Sequence, residues 1–130
     1  MNIALVSGGL LAFLLFALSF AVSITRLRTD RGFGNDQDPT NWLAKMVRTQ
    51  GNAAEYIPVF IILMFILEAE GTPEWVDWVY IMAVVSRYSH AAGMLMSKNL
   101  DKASTLRFVG SAGTYICGFV FATQVILRAL

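Results

Sequence analysis

Charged residues are absent from Ile3 to Thr25 and again from Phe108 to Leu127. Each run is long enough to cross a hydrocarbon core of about 30 Å as a helix. Two weaker apolar stretches lie between them, Trp42 to Glu68 and Trp75 to Ser97, each interrupted by polar residues in one half. The pattern predicts an all-α integral membrane fold, a four-transmembrane-helix bundle with helices at about 3–25, 42–68, 75–97 and 105–127, in one domain over 1–130. The connection from Arg26 to Asn41 collects Gly32, Gly34, Asn35, Asp36, Asp38 and Pro39, a cluster of turn formers. Thr40 or Asn41 is placed to cap the second helix, and Ser104 the fourth. No Lys or Arg precedes the first run, and it exceeds the ~7–15 apolar residues of a signal peptide, so it is read as a retained helix.

Charge then orients the bundle. Arg26, Arg28 and Arg31 flank the first loop and Lys98, Lys102 and Arg107 the third, whereas Glu68, Glu70, Glu74 and Asp77 surround the second. The positive-inside rule puts loops one and three in the cytoplasm and both termini outside, with Arg128 a minor exception. Trp75, Trp78 and Tyr80 fit an interfacial aromatic belt.

Composition narrows the function classes. Charged residues make up 15% of the chain, against about 25% in a typical soluble domain. A net charge of +1 offers no basic face for nucleic acid. One cysteine, Cys117, and one histidine, His90, are too few for a structural zinc site or an internal disulfide, so no metal is expected. No repeat or broken-helix pair supports a transporter.

The second helix nevertheless carries Lys45, Arg48, Gln50, Asn52 and Glu55. At 100° per residue Lys45, Arg48, Asn52 and Glu55 fall within about 80° of one another, a single stripe. Gly51 removes a side chain beside it, and Pro58 frees the carbonyl of Ala54 one turn beyond and predicts a kink. Arg87 and His90 share a face of the third helix. Arg107, Ser111 and Tyr115 share one on the fourth, and the three sets lie at similar depth, toward the cytoplasmic end. Ionisable groups inside a membrane cost at least ~2.5 kcal/mol near its centre, so they pair or mark a site. Two readings stay open: Arg48 and Glu55 converge on a polar ligand, or they form an ion pair that holds an oligomer. Arg107 either serves the site or snorkels to headgroups. Tyr56, Tyr115, Cys117 and the methionines also read as packing residues.

The segment Arg48-Thr49-Gln50-Gly51-Asn52-Ala53-Ala54-Glu55-Tyr56-Ile57-Pro58, with the pattern R-x-Q-x-N-x-x-E-Y-x-P, resembles the second-helix motif of the MAPEG family, the membrane-associated proteins in eicosanoid and glutathione metabolism. Four helices and the Arg-x-x-His of the third extend the resemblance over essentially the whole chain, which is most similar to the small bacterial members. The resemblance implies a homotrimer with glutathione held between adjacent subunits near the cytoplasmic face. It assigns Arg48, Gln50, Asn52, Glu55, Tyr56, Arg87 and His90 to glutathione binding, and Arg107 to stabilising the glutathione thiolate. The sequence departs from some family enzymes at Met94, where they carry a tyrosine, and at Ser111, where an aromatic is frequent.

Those residue types suit the ligand. Glutathione has two carboxylates, an amino group and a thiol: Arg48 can clamp a carboxylate, Glu55 receive the ammonium, and Asn52 bond a peptide amide. A thiol of pKa ~8.5 is mostly protonated at neutral pH, and a guanidinium such as Arg107 beside it favours the thiolate. The reading implied is a glutathione transferase that conjugates, or reduces with glutathione as co-substrate, lipophilic electrophiles entering from the membrane lipid, in a bacterial inner membrane. The alternative is a noncatalytic membrane binding or scaffold protein of the same fold.

Overall fold

A computed structural model describes residues 2–34 and 37–130 as four helices, α1 (Ile3–Thr29), α2 (Trp42–Glu70), α3 (Trp75–Met96) and α4 (Thr105–Ala129). Asn35 and Asp36 of the predicted turn cluster lie outside the described residues. Helices α1, α2 and α4 begin where a short polar side chain replaces the missing intrahelical acceptor. Asn2 accepts from the Leu5 amide at 2.8 Å, Asn41 from Leu43 at 2.8 Å and Ala44 at 3.3 Å, and Ser104 from Arg107 at 3.3 Å. Helix α1 continues past Thr25 to Thr29, because the end of an apolar run marks the edge of the bilayer and not the end of a helix. Asp30, at φ 52°, closes it with its amide on the Arg26 carbonyl. Helix α2 runs through Pro58 without interruption. Its 29 residues correspond to about 43 Å, longer than the hydrocarbon core, so its ends project or the helix tilts.

Helices α1, α2 and α4 are long and apolar enough to span a membrane; α3 falls short on composition alone. The reason is local: Arg87 and His90 are both buried inside the bundle, while Ile81, Met82 and Val85 face outward. Large apolar side chains also cover the outside of α1 and α4, among them Phe13, Phe16, Phe20, Phe108 and Phe119. In water such a surface is an aggregation liability; against lipid it is the required solvent face.

Helices α2 and α3 occupy the middle of the arrangement. Helix α1 packs on both, α4 packs on both, and α1 and α4 do not touch. Lipid tails are as apolar as the helix faces, so close van der Waals fit holds the bundle together. The tightest seam is α3 on α4. A Cβ added at Gly93 would lie 2.5 Å from the Arg107 amide nitrogen, one at Gly110 would overlap the His90 backbone, and one at Gly113 the Ser86 hydroxyl. Away from this seam, toward the end of the bundle that holds the α2–α3 turn, Phe60, Tyr80 and Phe121 form an aromatic core, with the Phe121 ring centroid 5.5 Å from that of Phe60 and 5.6 Å from that of Tyr80.

Candidate functional site

The crowded α3–α4 seam decides where the polar residues meet. By drawing the two backbones together at Gly110, it sets Thr114 of α4 beside Arg87 of α3. Arg87 is 1% exposed, although it is one of the largest cations a helix can carry. Its Nη2 donates to Asn52 Oδ1 of α2 at 2.8 Å, and Nη1 reaches Thr114 Oγ1 at 3.4 Å. The Thr114 hydroxyl spends its own hydrogen on the Gly110 carbonyl at 2.8 Å, so it meets the guanidinium as an acceptor. The guanidinium carbon also lies 5.1 Å from the centroid of the Tyr56 ring, a cation–π contact. Neutral groups thus surround a buried cation. Among the described residues its Nε has no partner and no carboxylate forms an ion pair with it.

Around this guanidinium Asn52, Tyr56, Arg87, His90, Ser111, Thr114 and Tyr115 enclose a cavity of about 10 Å³, the size of one water. His90 Nδ1 stands 3.1 Å from the Arg107 carbonyl. A carbonyl only accepts, so Nδ1 carries the hydrogen and a neutral imidazole keeps Nε2 as an acceptor. At the outer side the Tyr56 hydroxyl donates to the Tyr115 oxygen at 3.5 Å, with the rings edge-on. Beyond these phenols an apolar groove of about 390 Å³ opens between α2 and α4.

Of the residues singled out in the sequence, Asn52, Tyr56, Arg87, His90, Ser111 and Tyr115 come together in this pocket. Arg48 and Glu55 lie on the adjoining outward face of α2, where they pair with each other at 3.4 Å with side chains 57% and 52% exposed. Within one chain the pair is therefore internal to α2 and not a bridge between helices. Gln50 points the other way, donating to Ser19 of α1 at 3.3 Å. Arg107 folds back over the α3–α4 connection, its Nη1 on the Leu100 carbonyl at 2.7 Å. Lys45, on the same sequence stripe as Arg48, is buried near the first loop. Sequence reasoning missed Thr114. The available signal was Gly110 with Gly113: two glycines on one face of α4 mark the side that packs against α3, and Thr114 stands one turn from Gly110 on that side.

Comparison with known proteins agrees with this architecture. Over 71 residues the chain is 32% identical to the inner membrane protein YecN of Escherichia coli K12, covering 55% of this chain and 53% of that protein. It matches YecN of the O6:H1 strain to the same extent. The chain spans about half the length of the curated relatives it matches. The MAPEG family model aligns with residues 4–127, from the first turn of α1 to the last turns of α4. With four helices, three of them long and apolar, and the second-helix motif brought against Arg87, the protein is a membrane protein that belongs to the MAPEG family.

Proposed function

We propose that this protein is a membrane-bound glutathione transferase that conjugates hydrophobic electrophiles to glutathione or reduces them with it. The observation that carries the reading is Arg87, a buried guanidinium held, among the described residues, by Asn52, Thr114 and the Tyr56 ring. A desolvated cation with no described carboxylate in contact favours an anionic ligand at its site. Glutathione brings two carboxylates and, once ionised, a thiolate. Its γ-glutamyl end is a zwitterion, complementary to the Arg48–Glu55 pair one helical face away. Asn52 has committed its oxygen to Arg87 and keeps its amide hydrogens for a ligand acceptor. A tripeptide is far larger than the cavity of about 10 Å³, so it lies against this wall and a second surface covers it.

That second surface is a further copy of the chain. Even a mutually neutralising ion pair is poorly solvated where it faces lipid, which favours burying Arg48 and Glu55 against protein; the homotrimer of the family supplies such a surface. In this arrangement Arg107, half-buried at the start of α4, exchanges its Leu100 contact for the thiolate and lowers the thiol pKa. The lipophilic substrate arrives from the bilayer through the α2–α4 groove. We place the protein in a bacterial inner membrane with loops one and three in the cytoplasm, where the basic residues of those loops are favoured.

The same exposed pair also favours a scaffold protein in which Arg48 and Glu55 only join subunits. Thermal unfolding of the detergent-purified protein separates the two readings, measured with and without millimolar glutathione and beside Arg48→Ala. At tenfold excess over the dissociation constant a ligand selective for the folded state contributes about 1.4 kcal/mol. The transferase reading expects a rise of a few degrees that Arg48→Ala loses. No rise at saturating glutathione leaves the scaffold reading.

A further inference from the structure

Tyr56, Thr114 and Tyr115 line both the polar cavity and the inner end of the apolar groove, whose walls include Val59, Leu63 and Phe119. The two phenols stand where the polar and lipophilic spaces meet. Contacts run through them in one direction. Asn52 and Thr114 hold Arg87, Arg87 lies over the Tyr56 ring at 5.1 Å, and Tyr56 donates to Tyr115 at 3.5 Å. Because Tyr115 accepts this bond, its own hydrogen remains free, and among the described residues no acceptor takes it. The Tyr115 hydroxyl thus stands at the groove's inner end with a hydrogen to give.

We propose that Tyr115 is the proton donor to the oxygen of an α,β-unsaturated carbonyl whose apolar tail occupies the α2–α4 groove, and that this class of electrophile is the preferred one. The inference rests on the transferase reading of the pocket and adds the substrate class and the acid. In the step itself the glutathione sulfur bonds to the β-carbon, and the C=C electron pair moves through the conjugated system onto the carbonyl oxygen. That oxygen takes the Tyr115 proton, and the enol tautomerises to the saturated carbonyl. The proton lost when the thiol ionised returns to Tyr115 through water, so the net change is addition of S–H across the double bond. An alkyl halide has no such need, because its halide leaves with the bonding pair.

The test uses the full chain in lipid nanodiscs with trans-2-nonenal and 1-iodooctane, electrophiles of similar length with and without a carbonyl. Wild type, Tyr115→Phe and Tyr56→Phe are compared. General acids contribute roughly 10²–10⁴-fold, so Tyr115→Phe is expected to lower kcat/KM for nonenal at least ~10-fold more than for iodooctane. Tyr56→Phe should give a smaller loss with the same preference, and Tyr115→Phe should retain the glutathione-dependent rise in unfolding temperature. Equal losses on the two electrophiles, or no loss on nonenal, would overturn the role of Tyr115 while leaving the transferase reading intact. A wild type that neither gains stability from glutathione nor turns over either electrophile would overturn both.

Discussion

Replacing Gly110 with alanine tests whether the α3–α4 seam holds the site together. The added Cβ would overlap the His90 backbone nitrogen and lie 2.7 Å from its Cα and 2.8 Å from the Ser86 carbonyl oxygen. Carbon atoms rest at about 3.5–4.0 Å, so the helices must separate by roughly 0.8 Å at this point. The obstructing atoms are backbone and cannot swing aside. Overpacking of this kind costs about 1–3 kcal/mol. The Arg87 Nη1 to Thr114 contact, already 3.4 Å long, would stretch out of hydrogen-bond range at a further cost of about 1 kcal/mol. Alanine's better helix propensity returns at most about 1 kcal/mol. The expected net loss is about 1–3 kcal/mol, read from denaturant unfolding in mixed micelles. Gly9→Ala is the control, since a Cβ there meets nothing within 4 Å; it should be neutral or slightly stabilising. If Gly110→Ala unfolded within about 0.5 kcal/mol of Gly9→Ala, the two helices would part at little cost and the seam could not be what fixes Thr114 beside Arg87.

Asn52→Ala should cost about 1.5–3 kcal/mol, because it strips a charged, buried donor of its acceptor. Asn52→Asp should recover much of that stability, and equal midpoints for wild type and Asn52→Ala would refute the role. Arg107→Ala frees the Leu100 carbonyl and should speed amide exchange around residues 98–104; in the proposed enzyme it should also reduce turnover more than glutathione affinity. Asp38 accepts from the Thr40 hydroxyl at 2.7 Å and its amide at 2.9 Å, and these bonds hold its carboxyl below the usual value of 3.8. A depressed carboxylate contributes to loop order above its unfolded pKa, and the contribution disappears as pH falls through the lower, folded value. Thr40→Ala should therefore move the Asp38 titration, followed by carboxyl NMR, back upward.

The first and fourth helices were legible because long, charge-free stretches of bilayer length rarely arise outside membrane-spanning segments, and the second and third as weaker apolar stretches set off by turn-forming and charged loops. The exact end of α1 was not, since hydropathy reports where lipid stops and the helix continues through Arg26 and Arg28 to an Asp30 cap. Asn52, Arg87 and His90 were legible through helical spacing, which fixes a face but not a rotamer. That is why the direction of Arg107 had to come from the structure: a long side chain near a helix start can reach outward, inward or, as here, back to a loop carbonyl. Thr114 was hidden because a lone threonine in an apolar helix carries little signal. Its significance depends on which face of α4 approaches α3, and backbone contacts at glycines decide that.

The Arg48–Glu55 pair also bears on how the chain enters the bilayer. Two opposite charges on one face of a single helix neutralise each other as soon as that helix forms, so α2 can partition from the insertion machinery as a nearly neutral segment. Arg87 has no such companion on α3, and its acceptors belong to α2 and α4. Segment three is thus the passenger in biogenesis: its polar side is satisfied only once the second segment is in place, and it is completed by the fourth. Lateral release of α3 as a lone segment would be unfavourable, whereas release as a hairpin with α4, beside α2 already in the lipid, follows the order in which the chain is synthesised.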